Sequence, residues 1–373
     1  MSRELRIRAV ETVPLHIPFG GKFKISVGGI RRYLEVMLVR MRIEGGLEGI
    51  GETQAWRRLG SFETLPSIRE AIDRHLAPLI LGKSPFELPA IVRAMDVSLD
   101  RSLYAKAALV DALYDLQGKI LGVPVHDLLG GKLRDSIGGC AVLLIKDEVS
   151  ATIDGAQAFW DKGYRAFTVK IGENADVDLV NVCEIRKRFP DAIIRVDANA
   201  AMKFDGSLAL LKKIEPYDID AAEQMVPPWD LEGMAELARR TSVPMMADES
   251  VATERDLIDI IKRRAATGIQ TKIAKNGGIW GCHKLWTIAD AAGIRILPGN
   301  HPTTSVGSAS VVHLAAAWPG ELLDGPFAMG LSNLECDIVT NPLVFEGKNV
   351  RVPAGPGLGV TLDDSVVKSL RID

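Results

Sequence analysis

Five ionisable residues recur at nearly constant spacing: Lys170, Asp197, Glu223, Asp248 and Lys272. Each closes a short apolar run, at 167–170, 193–197, 219–223, 243–248 and 268–272. The intervals between the charges are 27, 26, 25 and 24 residues. Three carboxylates brought together raise each other's pKa and repel unless a cation lies among them. Hard oxygen ligands, completed by water or substrate, suit Mg²⁺ or Mn²⁺. Any one of these acids alone reads as a helix cap or a lysine's partner. Three in phase, in consecutive units, read as a metal site made of Asp197, Glu223 and Asp248. Lys170 and Lys272 bracket them. A nearby divalent cation and partial burial both disfavour a charged ammonium. Lowering a lysine from about 10.4 to about 7.5 costs roughly 4 kcal/mol. A neutral lysine can take a proton from the carbon next to a carboxylate, giving a metal-stabilised enediolate.

The spacing also says what positions these groups. A strand, a turn, a helix and a return loop occupy about that length. The charges therefore fall at the C-terminal ends of successive βα strands, which converge on one face of a (β/α) barrel. Eight strands are predicted, starting near 140, 167, 193, 219, 243, 268, 294 and 321. Before them lies an α+β region. It has a strand at 5–17, an alternating run from Leu34 to Ile43, a Glu44-Gly45-Gly46 turn and a returning strand at 49–52. Helices are predicted at about 63–80, 87–98 and 102–121, the last halted by Gly122 and Pro124. The tail lacks helical periodicity until Asp363.

Composition excludes several classes. The formal charge is −3 with a pI near 6.1, which makes no case for nucleic acid or an anionic membrane. Hydrophobic residues make up 47 %, enough for a large core. No apolar run approaches the length of a membrane span. Cys140, Cys183, Cys282 and Cys336 lack CxxC spacing and read as reduced thiols of a cytoplasmic protein. The glycine-rich 20–30 loop has no GxGxxG ahead of a helix, which argues against a phosphate cradle.

The order Lys, Asp, Glu, Asp, Lys resembles the enolase superfamily, specifically the muconate-lactonizing (muconate cycloisomerase) subgroup of the mandelate racemase/muconate lactonizing enzyme family. Superfamily sites are known to pair a Lys or His base with Mg²⁺. The matching pieces are Val169-Lys170-Ile171-Gly172, Asp197-Ala198-Asn199, Glu223-Gln224, Ala247-Asp248-Glu249-Ser250 and Lys272-Ile273-Ala274-Lys275-Asn276-Gly277-Gly278. Gly49-Ile50-Gly51-Glu52-Thr53, Leu128-Leu129-Gly130-Gly131-Lys132 and Gly355-Pro356-Gly357-Leu358-Gly359 also fit. The resemblance implies a modified (β/α)7β TIM-type barrel at 133–326 and an N-terminal α+β capping domain at 1–132. A C-terminal tail, 327–373, would return to the cap. It also implies Lys170 and Lys272 as catalytic bases, closure of the 20–30 loop over a small-molecule carboxylate, and a homo-oligomer.

The chain departs from the subgroup at several positions. The subgroup carries Lys-x-Lys where this chain has Thr168-Val169-Lys170, so one positive neighbour of Lys170 is lost. Thr303 falls where muconate cycloisomerases carry a glutamate, by ungapped count. His301 falls where the mandelate-racemase subgroup has its base, but Lys272 takes the place of the aspartate that supports it. Thr168, Asn300, His301 and Thr303 are candidates for substrate contact or for supporting the site. Asn199 and Gln224 are candidates for supporting the metal ligands. Glu249, one residue past a ligand, should point elsewhere and hydrogen-bond Lys272. Asp324, in Glu321-Leu322-Leu323-Asp324, and Trp56 are candidates for facing the site. Three functions fit: a Mg²⁺-dependent racemase, epimerase or cycloisomerase; a dehydratase expelling a β-hydroxyl from the same enolate; and a non-catalytic carboxylate-binding protein. One lysine within reach of Cα would favour the dehydratase. The complete set of five residues argues against the third.

Overall fold

The structure is a computed structural model that describes residues 5–23, 31–55, 63–146, 148–326 and 330–373. The 24–30 part of the glycine-rich loop and Trp56 lie outside the described residues. Strands β1 (Ile7–Phe23), β2 (Arg31–Ile43) and β3 (Glu48–Gln54) form an antiparallel meander in that order. It packs on the helix Leu103–Leu121, whose Ala105, Ala108, Leu109, Ala112, Leu113 and Leu116 are fully buried. The helix ends at Gly122, which adopts φ 70°, a left-handed conformation natural to glycine. The Gly49-Ile50-Gly51 run has a steric reason. A Cβ on Gly49 would lie 2.4 Å from the Ala112 carbonyl oxygen, and one on Gly51 would lie 2.0 Å from that of Ala108. Only glycine lets this strand approach the helix backbone.

After β4 (Ser136–Gly138) come β5 (Ala141–Leu143), β6 (Ala166–Lys170), β7 (Ile193–Asp197), β8 (Ile219–Glu223), β9 (Met245–Ala247), β10 (Gly268–Lys272) and β11 (Arg295–Gly299). β5 to β11 form one parallel sheet in sequence order, with helices in the crossovers. Both faces of β6 and β10 are buried, as a sheet covered by helices requires. The eighth strand expected at 321–324 is instead an extended segment with a bond to each edge. Leu323 N donates to Ile296 O at 2.9 Å, and Cys140 N donates to Gly325 O at 3.0 Å. Pro326, with no N–H, ends the run before a longer ladder can form. The segment still closes the ring between β11 and β5.

Side chains alternate along each strand, so the inward residue sits two places from the next. Below the layer of Lys170, Asp197, Glu223 and Lys272 therefore lie Thr168, Arg195, Ala221 and Gln270. Ala221, Met246 and Leu297 pack with Leu323 as a small apolar plug. The floor beneath is ionic. Asp220 takes Arg195 and Arg295, each at 2.8 Å, and Arg195 also donates to the Asp324 carbonyl at 2.8 Å.

In the tail, β12 (Phe345–Glu346) and β13 (Asn349–Arg351) add to β4. Isolated bridges pair Phe19 with Leu334 and Leu15 with Arg371, so the tail also meets β1. Its helix, Asp364–Leu370, is capped by the Asp363 carboxylate. All four cysteines are free. No helix among the described residues is long and apolar enough to cross a membrane.

Candidate active site

Register puts the charged residues side by side. Lys170 pairs with Asp197 across β6 and β7, and Asp197 with Glu223 across β7 and β8. Asp248 stands just beyond β9, and Lys272 ends β10. β6 and β10 are four places apart in a ring of eight, so the lysines stand on opposite walls. All five side chains are buried. Lys170 Nζ donates to Asp197 Oδ2 and, at 3.0 Å, to Asn199 Oδ1. Lys272 Nζ donates to Asp248 Oδ2. Glu223, between them, has two buried carboxylate oxygens with no hydrogen-bond partner among the described residues.

The backbone is strained here. Asn199, Ala200 and Gln224 have φ of 44°, 60° and 37°, in the left-handed region. Such residues cost on the order of 1–3 kcal/mol each and persist where surroundings hold them. The restraints are visible. Asn199 N donates to Asp197 Oδ1 at 2.7 Å, and Ala200 N to Gln224 O at 2.7 Å. Gln224 Oε1 accepts from Asp248 N and Ser250 N, both at 3.0 Å, and its Nε2 donates to Ser250 Oγ at 2.7 Å. Asn199 and Gln224 thus aim the turns that carry Asp197 and Asp248.

Electrostatics follows from burial and crowding. Burial, then Asp197 and Asp248, push the Glu223 carboxyl well above its ordinary range. Burial opposes charge on Asp248 as well, but Lys272 and Lys275 overcome it and hold that carboxyl low. The sequence points to lysines held below their ordinary range, and the structure reverses that direction, although burial does lower both. The carboxylates, Asp197 for Lys170 and Asp248 for Lys272, more than offset it, and both lysines are held above their ordinary range. Glu249 is pushed up to about 8 by burial and by Asp248.

Other sequence candidates divide. Thr168 is buried directly below Lys170, against Cys140 Sγ at 3.6 Å, and supplies no charge. Its register partner on β7 is Arg195, a cation already engaged in the floor. His301 is buried and stacks on Tyr104 of the N-terminal region, ring centroids 5.7 Å apart. Burial and then Lys272 hold the imidazole well below its ordinary value. Asn300 is buried, and its Nδ2 makes no hydrogen bond among the described residues. Three expectations need correction. Glu249 Oε1 accepts from Asn199 Nδ2 at 3.4 Å, while Lys272 turns to Asp248, whose carboxylate lies closer to full charge. Thr303 Oγ1 turns to Ser308 Oγ at 2.7 Å, within the first turn of the helix Ser305–Ala317. Asp324 lies at the N-terminal ends of the strands, where Lys348 draws its carboxylate to 2.8 Å, and does not join the cluster. Sequence reasoning missed Tyr104, and missed Lys275 and Asn276, which sit in the quoted Lys272–Gly278 stretch with no spacing rule to mark them.

The acids fit a hard cation by chemistry and by one structural fact: Glu223 is a buried carboxylate that no described group satisfies. As placed, no three acidic, histidine or cysteine side chains among the described residues stand in metal-holding geometry. Asp197 and Asp248 lean on lysines instead.

A capped, closed barrel with charged residues on consecutive strand ends defines a class of barrel enzymes whose site faces the C-terminal ends of the strands. Family comparison makes the assignment specific. The Mandelate racemase / muconate lactonizing enzyme N-terminal domain profile matches residues 4–130, and the Enolase C-terminal domain-like profile matches residues 151–366. The chain belongs to the mandelate racemase/muconate lactonizing enzyme family of the enolase superfamily. It is 31 % identical to muconate cycloisomerase 1-2 of Acinetobacter lwoffii, covering 99 % of this chain and 96 % of that protein. It is 30 % identical to the N-succinyl-L-Arg/Lys racemase of Bacillus cereus, covering 99 % and 98 %. The crystal structure of a muconate lactonizing enzyme from Pseudomonas fluorescens, complexed with muconolactone, superposes with a TM-score of 0.94. That pair is 30 % identical, over 99 % of this chain and all of that one.

Proposed function

We propose that this chain is an isomerase that makes or breaks the C–H bond α to the carboxylate of a small substrate through an enediolate. It acts as a racemase or epimerase that returns a proton to the other face of the same carbon, or as a cycloisomerase in which a ring bond opens or closes at the neighbouring carbon. One observation carries the reading: two buried lysines on opposite walls, Lys170 and Lys272, flank Asp197, Glu223 and Asp248 on adjacent strand ends. The relatives support the class, since both a cycloisomerase and a racemase are similar to this chain over nearly its whole length.

Asp197, Glu223 and Asp248 would hold Mg²⁺ or Mn²⁺, which supplies positive charge against the negative charge that builds on the substrate carboxylate. The rest falls to the chain's own residues. Lys170 takes or gives a proton at the substrate Cα from one face, and Lys272 does so from the other. Each needs the unprotonated amine before it can accept. Their carboxylate partners favour the ammonium, so each lysine must leave its partner when substrate binds. Asn199, which donates to Asp197 and accepts from Lys170, is placed to take up the loosened contact. Residues 1–132 act as the cap and 133–326 as the barrel, with 327–373 returning to the cap. His301, held against Tyr104 of the cap, and Asn300 touch the substrate. The test is a library of small carboxylates incubated in D₂O with Mg²⁺. Deuterium at Cα of at least one compound is expected, and its loss with EDTA. No incorporation across amino-acid, N-acyl amino-acid and unsaturated dicarboxylate members would refute the reading.

A further inference from the structure

Lys275 is as buried as the two proposed bases, with 3 % of its surface exposed. Its ammonium reaches the carbonyl oxygens of Val251 at 2.9 Å and Gln270 at 3.1 Å, and that of Asp248. It also lies 3.0 Å from Asp248 Oδ1. These partners sit on two separate segments, β10 and the turn after β9. One cation thus ties the turn that carries Asp248 to the strand that carries Lys272. Asn276 ties the same two segments differently. Its Oδ1 accepts from Lys272 N at 2.7 Å, and its Nδ2 donates to Val251 O at 3.0 Å and Ala252 O at 3.1 Å. Among the described residues, Asn276 makes no hydrogen bond to Asp248.

The two cations on Asp248 are not equivalent. Lys272 holds Oδ2, and among the described residues that is its only side-chain hydrogen bond. Lys275 lies at ion-pair distance from the other oxygen, 3.0 Å away without hydrogen-bond geometry, and is fixed by three carbonyls. A buried carboxylate left without a counter-ion is strongly destabilised. Without Lys275, the departure of Lys272 would leave only a bound cation to balance Asp248, with neither lysine aiming its carboxylate. We propose that Lys275 is a positioning residue: it stays tied to the turn that carries Asp248 and to β10, so that this carboxylate remains aimed while Lys272 is released to act on the substrate. This rests on the reading of Asp248 as a metal ligand and Lys272 as a base.

The test is calorimetric titration of Mg²⁺, without substrate, into wild type, Lys275→Met and Asn276→Ala. Removing a group that orients a ligand typically costs about 10–100-fold in metal affinity. Lys275→Met is expected to fall in that range, with Asn276→Ala within about threefold of wild type by the same reasoning. Lys275→Gln, neutral but still a donor to the carbonyls, is expected to lose affinity like the Met variant and guards against a folding failure. Among carboxylates that wild type deuterates, Lys275→Gln should lower kcat with KM little changed. Wild-type affinity in a folded Lys275 variant would overturn the proposal. So would equal losses in Asn276→Ala, which would reduce Lys275 to a loop tether. If both Lys275 variants fail to fold, the residue is a stability group and the proposal falls. If wild type itself binds no Mg²⁺, the metal reading has failed, a result distinct from the others.

Discussion

Glu52 and Asp111, on the seam between the N-terminal region and the barrel, and Asp115, on the seam between that region and the C-terminal tail, are as deeply buried as Asp197, Glu223 and Asp248 at the strand ends. The two sets are satisfied in opposite ways. Glu52 accepts from Thr304 N and Gly307 N, both at 3.1 Å, at the start of the helix Ser305–Ala317. Asp111 accepts from Ile279 N at 2.9 Å, at the start of the helix Gly278–Ala291. Asp115 accepts from Ile50 N at 2.8 Å and Leu358 N at 2.7 Å, and pairs with Lys119 at 2.7 Å. Helix N-termini offer free N–H groups and a favourable dipole, so an acid there is held by the backbone. At the strand ends, Asp197 is held by Lys170 and Asn199, Asp248 by the Lys272 side chain, and Glu223 by nothing described. Backbone partners cannot leave without unfolding, whereas a lysine can rotate away. The seam acids therefore fasten two parts of the fold together, and the site acids are arranged to change partners.

This contrast can be broken by swapping the readouts. Asp197→Asn should have the largest effect on the site: Mg²⁺ affinity lowered by about 100-fold or more, beyond what loss of an orienting neighbour does. Thermal unfolding of the apo protein should change little, and calorimetry beside a melting curve checks both. Asp115→Ala should show the converse. It orphans two buried backbone donors and should cost roughly 3 kcal/mol in denaturant unfolding. Its Mg²⁺ affinity should match wild type. A seam variant that loses the metal, or a site variant that loses only stability, would dissolve the distinction.

A third effect concerns pH. Burial pushes the Asp111 carboxyl up to about 7 from an ordinary value of 3.8. Between those values the folded protein keeps a proton that the unfolded chain has released. Stability therefore falls as pH rises through that window, by linkage. Asp111→Asn keeps an oxygen for Ile279 N and has no proton to release. Its stability should fall less than that of wild type between about pH 4 and pH 7, by up to about 4 kcal/mol if the whole shift is expressed. Parallel stability–pH curves for the two proteins would show that Asp111 is not buried as a titrating acid.

The barrel and its charged ring were legible because both are periodic. A strand end every 24 to 27 residues marks the units, and alternation within each run puts the charged residue inward. What escaped depends on segments that meet only in three dimensions. Asp324 follows a plausible strand, but Lys348, from the hairpin of β12 and β13, claims it at the far end of the barrel. Thr303 occupies a loop position that could face substrate, yet the first turn of the next helix offers Ser308 as a nearer partner. Lys275 looks like one more polar residue after a strand, and only the fold brings Asp248, Val251 and Gln270 around its ammonium. The eighth strand was placed correctly along the chain, but it makes only the few bonds that Gly325-Pro326 allows.

The central claim is that Lys170 and Lys272 work on opposite faces of one substrate. It is tested most directly by following α-proton exchange in D₂O, by NMR, on each enantiomer of a carboxylate that wild type deuterates. Loss of a positioned base typically costs about 10²–10⁴-fold. Lys170→Ala should lose exchange of one enantiomer by that factor and retain measurable exchange of the other, and Lys272→Ala should show the reverse. Both variants should still bind Mg²⁺. Loss of the same enantiomer in both variants would mean chemistry on a single face. Unchanged exchange in either variant would mean that lysine is not a base, and would contradict the account.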